Sequence, residues 1–135
     1  MRGFIVAALL AAPAVSLACG VCIEDKVAAV YDYELVSRAL ARGQHVAFFQ
    51  LEGRVAPGEA AKHLLEDLAG SAAGVERGSA RVSLDTMSLA VAYDPRRAPF
   101  ARVQAALEKK FAARRLVLAP LKLIERPGEL TAVAR

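Results

Sequence analysis

The sequence predicts an α+β fold, in which four strands and two helices follow the order βαββαβ behind an additional N-terminal helix. Alternating apolar residues predict a strand at residues 45–53 and a hairpin at residues 80–93. Apolar residues at helical spacing predict helices at residues 59–69 and from Pro99 onward. With a last strand at residues 117–125, this order is that of a ferredoxin-like sandwich, a four-stranded antiparallel sheet with two helices on one face.

The first 18 residues have the three parts of an export signal. Arg2 supplies the positive charge, residues 4–15 form a short apolar run, and residues 16–18 form a small-x-small cleavage site. The run is shorter than the ~20 residues that a membrane span needs. We therefore expect residues 1–18 to be removed, the mature chain to have no transmembrane helix, and the protein to be exported, in bacteria to the periplasm. Cleavage after Ala14 is the alternative.

The only two cysteines stand just behind this signal, in the sequence Cys19-Gly20-Val21-Cys22. They precede a predicted helix at residues 23–42 that ends at Gly43. Such a pair can bind a soft metal ion or cycle between dithiol and disulfide. Cleavage after Ala18 would make Cys19 the first residue, where a bacterial lipoprotein carries its lipid. Cys19 is thus a metal ligand, a disulfide partner or a lipid anchor.

The predicted elements define four segments of the chain. They are the signal at 1–18, the CxxC-bearing N-terminal helix at 19–43, the ferredoxin-like domain at 44–126 and a C-terminal tail at 127–135. Pro120 cannot donate a ladder hydrogen bond, which places the last strand at a sheet edge. The sheet face that carries Val46 and Phe48 is largely apolar, and we expect the amphipathic N-terminal helix to cover part of that face, or an edge of the sheet.

Short motifs along residues 46–125 follow a known order. They are Phe49-Gln50-Leu51-Glu52-Gly53, Gly74-Val75-Glu76, Val82-Ser83-Leu84-Asp85-Thr86, Ala90-Val91-Ala92-Tyr93-Asp94-Pro95 and Leu107-Glu108-Lys109. In these motifs the chain resembles the heavy-metal-associated (HMA) domain family, to which copper chaperones and the N-terminal modules of copper-transporting ATPases belong. The resemblance implies the ferredoxin-like fold, the binding of a soft metal ion and transfer of that ion to or from a partner protein.

One departure from the family decides the position of any metal site. The family binds Cu(I) or Zn(II) through a Met-x-Cys-x-x-Cys loop directly after the first-strand glycine. Here residues 53–59 read Gly-Arg-Val-Ala-Pro-Gly-Glu, without the methionine or either cysteine. No ligand can therefore be carried over onto this loop. Whether the upstream pair Cys19 and Cys22 folds back onto the loop is left open.

Two thiolates suit Cu(I), a soft ion with a low coordination number. Zn(II) comes second, because it prefers four ligands and would need further side chains or a second chain. His45, His63 and Met87 are additional candidate ligands, although a strand surface, a helix boundary and a hairpin turn also account for them. A homodimer that shares one ion through two CxxC pairs is a further arrangement. The main prediction is an exported Cu(I) carrier or storage module with a protein partner.

Two other functions stay open. The first is a non-enzymatic adaptor, in which the CxxC forms a structural disulfide or bears lipid and the sheet binds a protein. The second is a thiol–disulfide redox protein, since a CxxC at a helix start is also a redox arrangement. The chain carries a net charge of +4, with scattered basic residues and no basic stripe interleaved with aromatics, so we expect no nucleic-acid binding. The sequence shows no arrangement of residues typical of a hydrolytic active site, so we do not expect an enzyme.

Overall fold

The computed structural model describes residues 22–129. The predicted signal, Cys19 and the end of the predicted tail lie outside these residues. The described chain forms helices α1 (Ile23–Ala29) and α2 (Tyr33–Ala41), strand β1 (His45–Glu52), helix α3 (Glu59–Gly70), strands β2 (Arg81–Ser83) and β3 (Ser88–Tyr93), helix α4 (Phe100–Ala112), strand β4 (Val117–Ile124) and a short 3₁₀ helix (Pro127–Glu129).

The four strands form one antiparallel sheet in the order β2-β3-β1-β4. Together with α3 and α4 they confirm the predicted ferredoxin-like fold. Strand β4 lies at an edge, as Pro120 predicted, and Pro120 is opposite Phe49. The β1–β4 register shifts between Phe48 and Phe49, because β4 has one extra residue at this point.

The first core lies between the sheet and helices α3 and α4. Phe49 is fully buried there and stacks on Phe100, with ring centroids 6.0 Å apart. Leu65 and Ala69 are the buried residues of α3. Leu64, the apolar residue that precedes Leu65, is 44% exposed. One residue is a rotation of about 100° on a helix, so the stripe built around Leu65 leaves Leu64 on its flank.

The second core lies on the opposite face of the sheet, under α1 and α2. The sequence predicted this cover for the apolar face around Val46 and Phe48, and the structure places both N-terminal helices there. The buried residues of this core are Val27, Val30, Leu35, Val36, Ala39, Leu40, Val46, Phe48, Ala90, Ala92 and Ile124. The sheet is therefore covered by helices on both faces.

The N-terminal helical segment is two helices, whereas the sequence predicted a single helix over residues 23–42. The chain leaves the helical conformation at residues 30–32 and begins again at α2. Asp32 is the N-cap of α2, and its Oδ1 accepts a hydrogen bond from the Leu35 amide at 3.1 Å. Asp32 Oδ2 lies 3.2 Å from the Arg81 guanidinium on β2. The capping hydrogen bond of Asp32 stabilises a new helix start here and competes with a continuous helix. The ion pair with Arg81 stabilises the same arrangement.

We expect Asp32→Ala to lower the free energy of unfolding by about 1–2 kcal/mol. Most of this is the lost cap, since an exposed ion pair contributes less than about 1 kcal/mol. Urea denaturation near neutral pH measures the loss. Asp32→Asn is the matched control, because it retains a capping oxygen without the charge. An Asp32→Ala chain as stable as the wild type would contradict the role of the cap.

The same side chain predicts a dependence on pH. The Leu35 amide, and after it the Arg81 guanidinium, hold the pKa of Asp32 below its ordinary value of 3.8. A carboxyl with a lowered folded pKa stabilises the fold above its unfolded pKa, and this contribution is lost as pH falls through the folded value. The stability difference between wild type and Asp32→Asn should therefore be constant above about pH 5 and shrink below about pH 4.

Within residues 22–129, no helix combines the length and the apolar character that a bilayer crossing requires.

Candidate metal centre

Cys22 lies at the exposed start of α1. It is the N-cap residue of the helix, and its carbonyl accepts a hydrogen bond from the Lys26 amide at 3.1 Å. Its thiol is exposed and free among the described residues. Ile23 beside it is 58% exposed, and the next two residues are the exposed acids Glu24 and Asp25. Cys22 is therefore open to solvent, metal ions and partner proteins. Cys19 lies outside the described residues.

The loop that binds metal in the resembled family follows β1 here without metal ligands. Gly53 begins this loop at φ 138°, a conformation that favours glycine. A Cβ at Gly53 would lie 2.6 Å from Leu116 Cδ2 and 2.9 Å from the Arg115 carbonyl oxygen. The position therefore requires glycine for two reasons, backbone conformation and close approach. The glycine that the family resemblance rests on thus has a structural role independent of metal.

A half-open cavity of about 430 Å³ lies at this loop. Its walls come from the loop, the start of α3, the β2–β3 hairpin and Ala29 of α1. Ala29 is the last residue of α1, whereas Cys22 precedes the first. Cys22, at the other end of this seven-residue helix, is not among the residues that line the cavity. The α1 residue at this cavity is thus Ala29.

His45 is a partly buried residue of β1. Its Nδ1 lies 3.4 Å from the Tyr93 hydroxyl and 3.9 Å from Glu125 Oε1. Burial raises the pKa of Tyr93, and the nearby Glu125 charge raises it further. No sequence signal predicted the pairing of His45 with Tyr93, which lies opposite it on the neighbouring strand β3. The His45 ring is therefore engaged in contacts within the fold.

His63 and Met87 lie on other elements. His63 is exposed on α3, with Nδ1 3.3 Å from Glu66 Oε2 and Nε2 3.8 Å from Glu59 Oε2. Met87 occupies the β2–β3 hairpin turn at φ 49° and packs partly against the first core, at the wall of the loop cavity. Met87 is therefore partly buried, although it lies in a hairpin turn.

Across residues 22–129, no three or more His, Cys, Asp and Glu side chains form a group that could hold a metal ion. Cys22 is the exposed cysteine of this part of the chain.

Three solved structures are similar to this chain, at low sequence identity. Oxidized MerP from Ralstonia metallidurans CH34 is 14% identical, covers 58% of this chain and 99% of its own, and has a TM-score of 0.46. The N-terminal domain of the zinc(II) ATPase ZiaA is 24% identical over 56% of this chain and 63% of its own, with a TM-score of 0.43. The N-terminal domain of a potential copper-translocating P-type ATPase from Bacillus subtilis, in a Cu(I)-loaded state, is 21% identical. It covers 59% of this chain and 90% of its own, with a TM-score of 0.44. No protein-family model and no curated protein matches the chain.

Proposed function

We propose that this chain binds Cu(I) through Cys19 and Cys22 and serves as an exported carrier or storage module, without enzymatic activity of its own. The observation that carries the proposal is the exposed Cys22 thiol at the start of α1, three residues after the only other cysteine. The HMA-like fold and the missing ligands in the family's loop support a metal site that has moved to the N-terminal helix.

The chemistry of the donors favours Cu(I) over Zn(II). Two thiolates satisfy a soft monovalent ion, whereas Zn(II) takes four ligands in a tetrahedral arrangement. His45 is engaged with Tyr93, and His63 lies on α3 between two glutamates. A Zn(II) site would therefore need further donors, such as carboxylates, or a second chain. A partner that donates or accepts Cu(I) can reach Cys22 directly, because the thiol is exposed.

A competition titration tests the proposal. The mature chain, reduced and free of oxygen, is titrated with Cu(I) against a chromophoric chelator. We expect one ion per chain, and a loss of affinity of about 100-fold or more in Cys19→Ser and in Cys22→Ser, since each variant removes one of two thiolates. His63→Ala and Met87→Leu are the controls and should keep wild-type affinity. Wild-type Cu(I) affinity in both cysteine variants would refute the site.

Intact mass of the protein from the periplasm separates the alternatives. A lipid on Cys19, an inert disulfide, or a reduced thiol pair that ignores copper would favour the adaptor. Helices cover both faces of the sheet, so an adaptor would have to bind through the sheet edges or loops. A disulfide with a reduction potential in the range of periplasmic oxidants would instead favour the redox protein.

A further inference from the structure

Six arginines from separate parts of the sequence lie together at one end of the sheet. It is the end at which β1 begins and β3 finishes, since His45 is opposite Tyr93 in their register. The loop after Gly53 lies at the other end of the eight-residue strand β1. We call the six residues the basic end, and they come from α2 and its C-cap, the turn before β2, the β3–α4 loop and α4: Arg38, Arg42, Arg77, Arg96, Arg97 and Arg102.

Arg96 holds the basic end together. Its Nε donates to Asp94 Oδ1 at 2.9 Å, and its Nη2 donates to Asp94 Oδ2 at 3.0 Å. The same Nη2 donates to the Arg42 carbonyl oxygen at 3.0 Å, which joins the end of α2 to the β3–α4 loop. The hydrogen bonds from Arg96 also hold the pKa of Asp94 below its ordinary value, so the two charges offset each other at neutral pH.

The other five guanidinium groups have no such partner. Within residues 22–129, these exposed side chains make no hydrogen bond or ion pair: Arg38, Arg42, Arg77, Arg97 and Arg102. Arg97 adds only a longer-range attraction to Asp94. The carboxylate that remains among them is Glu76, which accepts a hydrogen bond from Gln44 Nε2 at 3.2 Å. The basic end therefore carries an excess of positive charge that the fold does not neutralise.

Two neighbouring cavities divide these five side chains into two groups. A cavity of about 180 Å³ lies between α2 and the turn before β2, and Arg38, Arg42 and Arg77 line it. A second cavity, of about 370 Å³, is lined by Arg97 and Arg102. Glu76 belongs to the walls of both cavities, so the two groups lie on either side of it. A ligand that uses both groups must present several negative charges along its length.

We propose that the basic end binds an acidic segment of a partner protein. One carboxylate of the segment lies among Arg38, Arg42 and Arg77, and another lies beside Arg97 and Arg102. A guanidinium suits this role, because its planar fork donates two parallel hydrogen bonds to one carboxylate. The contact is at the opposite end of β1 from the loop after Gly53, and it does not depend on a bound metal ion.

The surroundings of the basic end favour a protein over a membrane or a nucleic acid. The exposed large hydrophobic residues of the described chain are Ile23, Tyr33, Leu64 and Val117, and none of them lines either cavity. A membrane-binding surface uses such residues to enter the lipid, and single-stranded nucleic acids stack their bases on aromatic rings. Carboxylates held along a peptide need only the guanidinium groups that are present.

Fluorescence anisotropy of a labelled peptide of about ten glutamates tests the proposal, with the mature full chain at low ionic strength. We expect binding that weakens as salt is added, because exposed charges are screened. The triple variant Arg38→Gln/Arg42→Gln/Arg77→Gln should lower the affinity by about tenfold or more. Amide NMR shifts of the wild-type chain should locate the peptide at Gln44 and Gly78, which line the smaller cavity, and leave Gly53 unchanged.

A second triple variant is the matched control. Lys109→Gln/Lys110→Gln/Arg114→Gln removes the same charge from three exposed residues at the C-terminal end of α4. That end lies near Gly53, since Leu116 and the Arg115 carbonyl approach this glycine. We expect the control to change the affinity by less than about twofold, because its charges are far from the basic end. The amide spectrum of each variant shows whether it has kept the fold.

Several results would overturn the proposal. Equal losses of affinity in the two triple variants, or peptide-induced shifts spread over the whole surface, would reduce the effect to net charge. Displacement of the peptide by inorganic phosphate at the same concentration of charge would indicate a site for small anions instead. Binding to vesicles of phosphatidylcholine and phosphatidylglycerol in equal parts, without binding to the peptide, would assign the surface to a membrane.

Discussion

Removal of residues 19–43 lowers the free energy of unfolding by about 5 kcal/mol or more, or abolishes cooperative folding. The deletion takes away α1 and α2 and returns one whole sheet face to water, including Val46, Phe48 and Ile124, each less than 2% exposed in the intact fold. Each such side chain contributes about 1.5–3 kcal/mol when fully buried, and small domains are stable by only about 5–15 kcal/mol. The second core is therefore a large share of the total stability.

Urea denaturation of a chain that begins at Gln44 measures this loss. The matched control begins at Cys22, so that it lacks the signal and Cys19 and retains both helices. We expect the control to unfold at the wild-type denaturant concentration and the shorter chain at a much lower one, or without a cooperative transition. An unchanged midpoint in the shorter chain would mean that the two helices add nothing to the ferredoxin-like domain.

Phe48→Ala is expected to lower the free energy of unfolding by about 3–5 kcal/mol, the range for deletion of a buried aromatic ring. Phe48 is completely buried between the sheet and the N-terminal helices, and its ring stacks on Tyr31. The substitution leaves a cavity that the sheet backbone on one side and the helices on the other cannot easily fill. Denaturation by urea or heat gives the loss.

Two comparisons make the Phe48 prediction specific. Tyr33→Ala removes an aromatic ring that is 67% exposed from the same N-terminal segment, and we expect a change within about 0.5 kcal/mol. In the chain that begins at Gln44, Phe48 would already face water, so Phe48→Ala should cost far less there than in the full chain. Equal costs in both chains would show that Phe48 is stabilised by the sheet alone.

Local sequence patterns were sufficient for most of the ferredoxin-like part. Apolar residues at the two-residue period of a strand predicted β1 from His45 and the β2–β3 hairpin, because successive strand residues face opposite sides of a sheet. Pro120 predicted the edge position of β4, because a residue without an amide hydrogen cannot stand between two strands. The break between α1 and α2 was missed: apolar spacing continued through it, and the competing signal was one capping residue, Asp32.

The sequence by itself determined the fold class, the order of the elements from β1 to β4 and the presence of the CxxC pair that we propose as a metal site. Each of these depends on residues that are neighbours along the chain. The tertiary structure decided which surfaces meet. It placed α1 and α2 on the second sheet face, Ala29 rather than Cys22 at the family's loop, and His45 against Tyr93. These contacts join residues far apart in sequence, so they depend on how the packed elements fit together in three dimensions, which local periodicity does not encode.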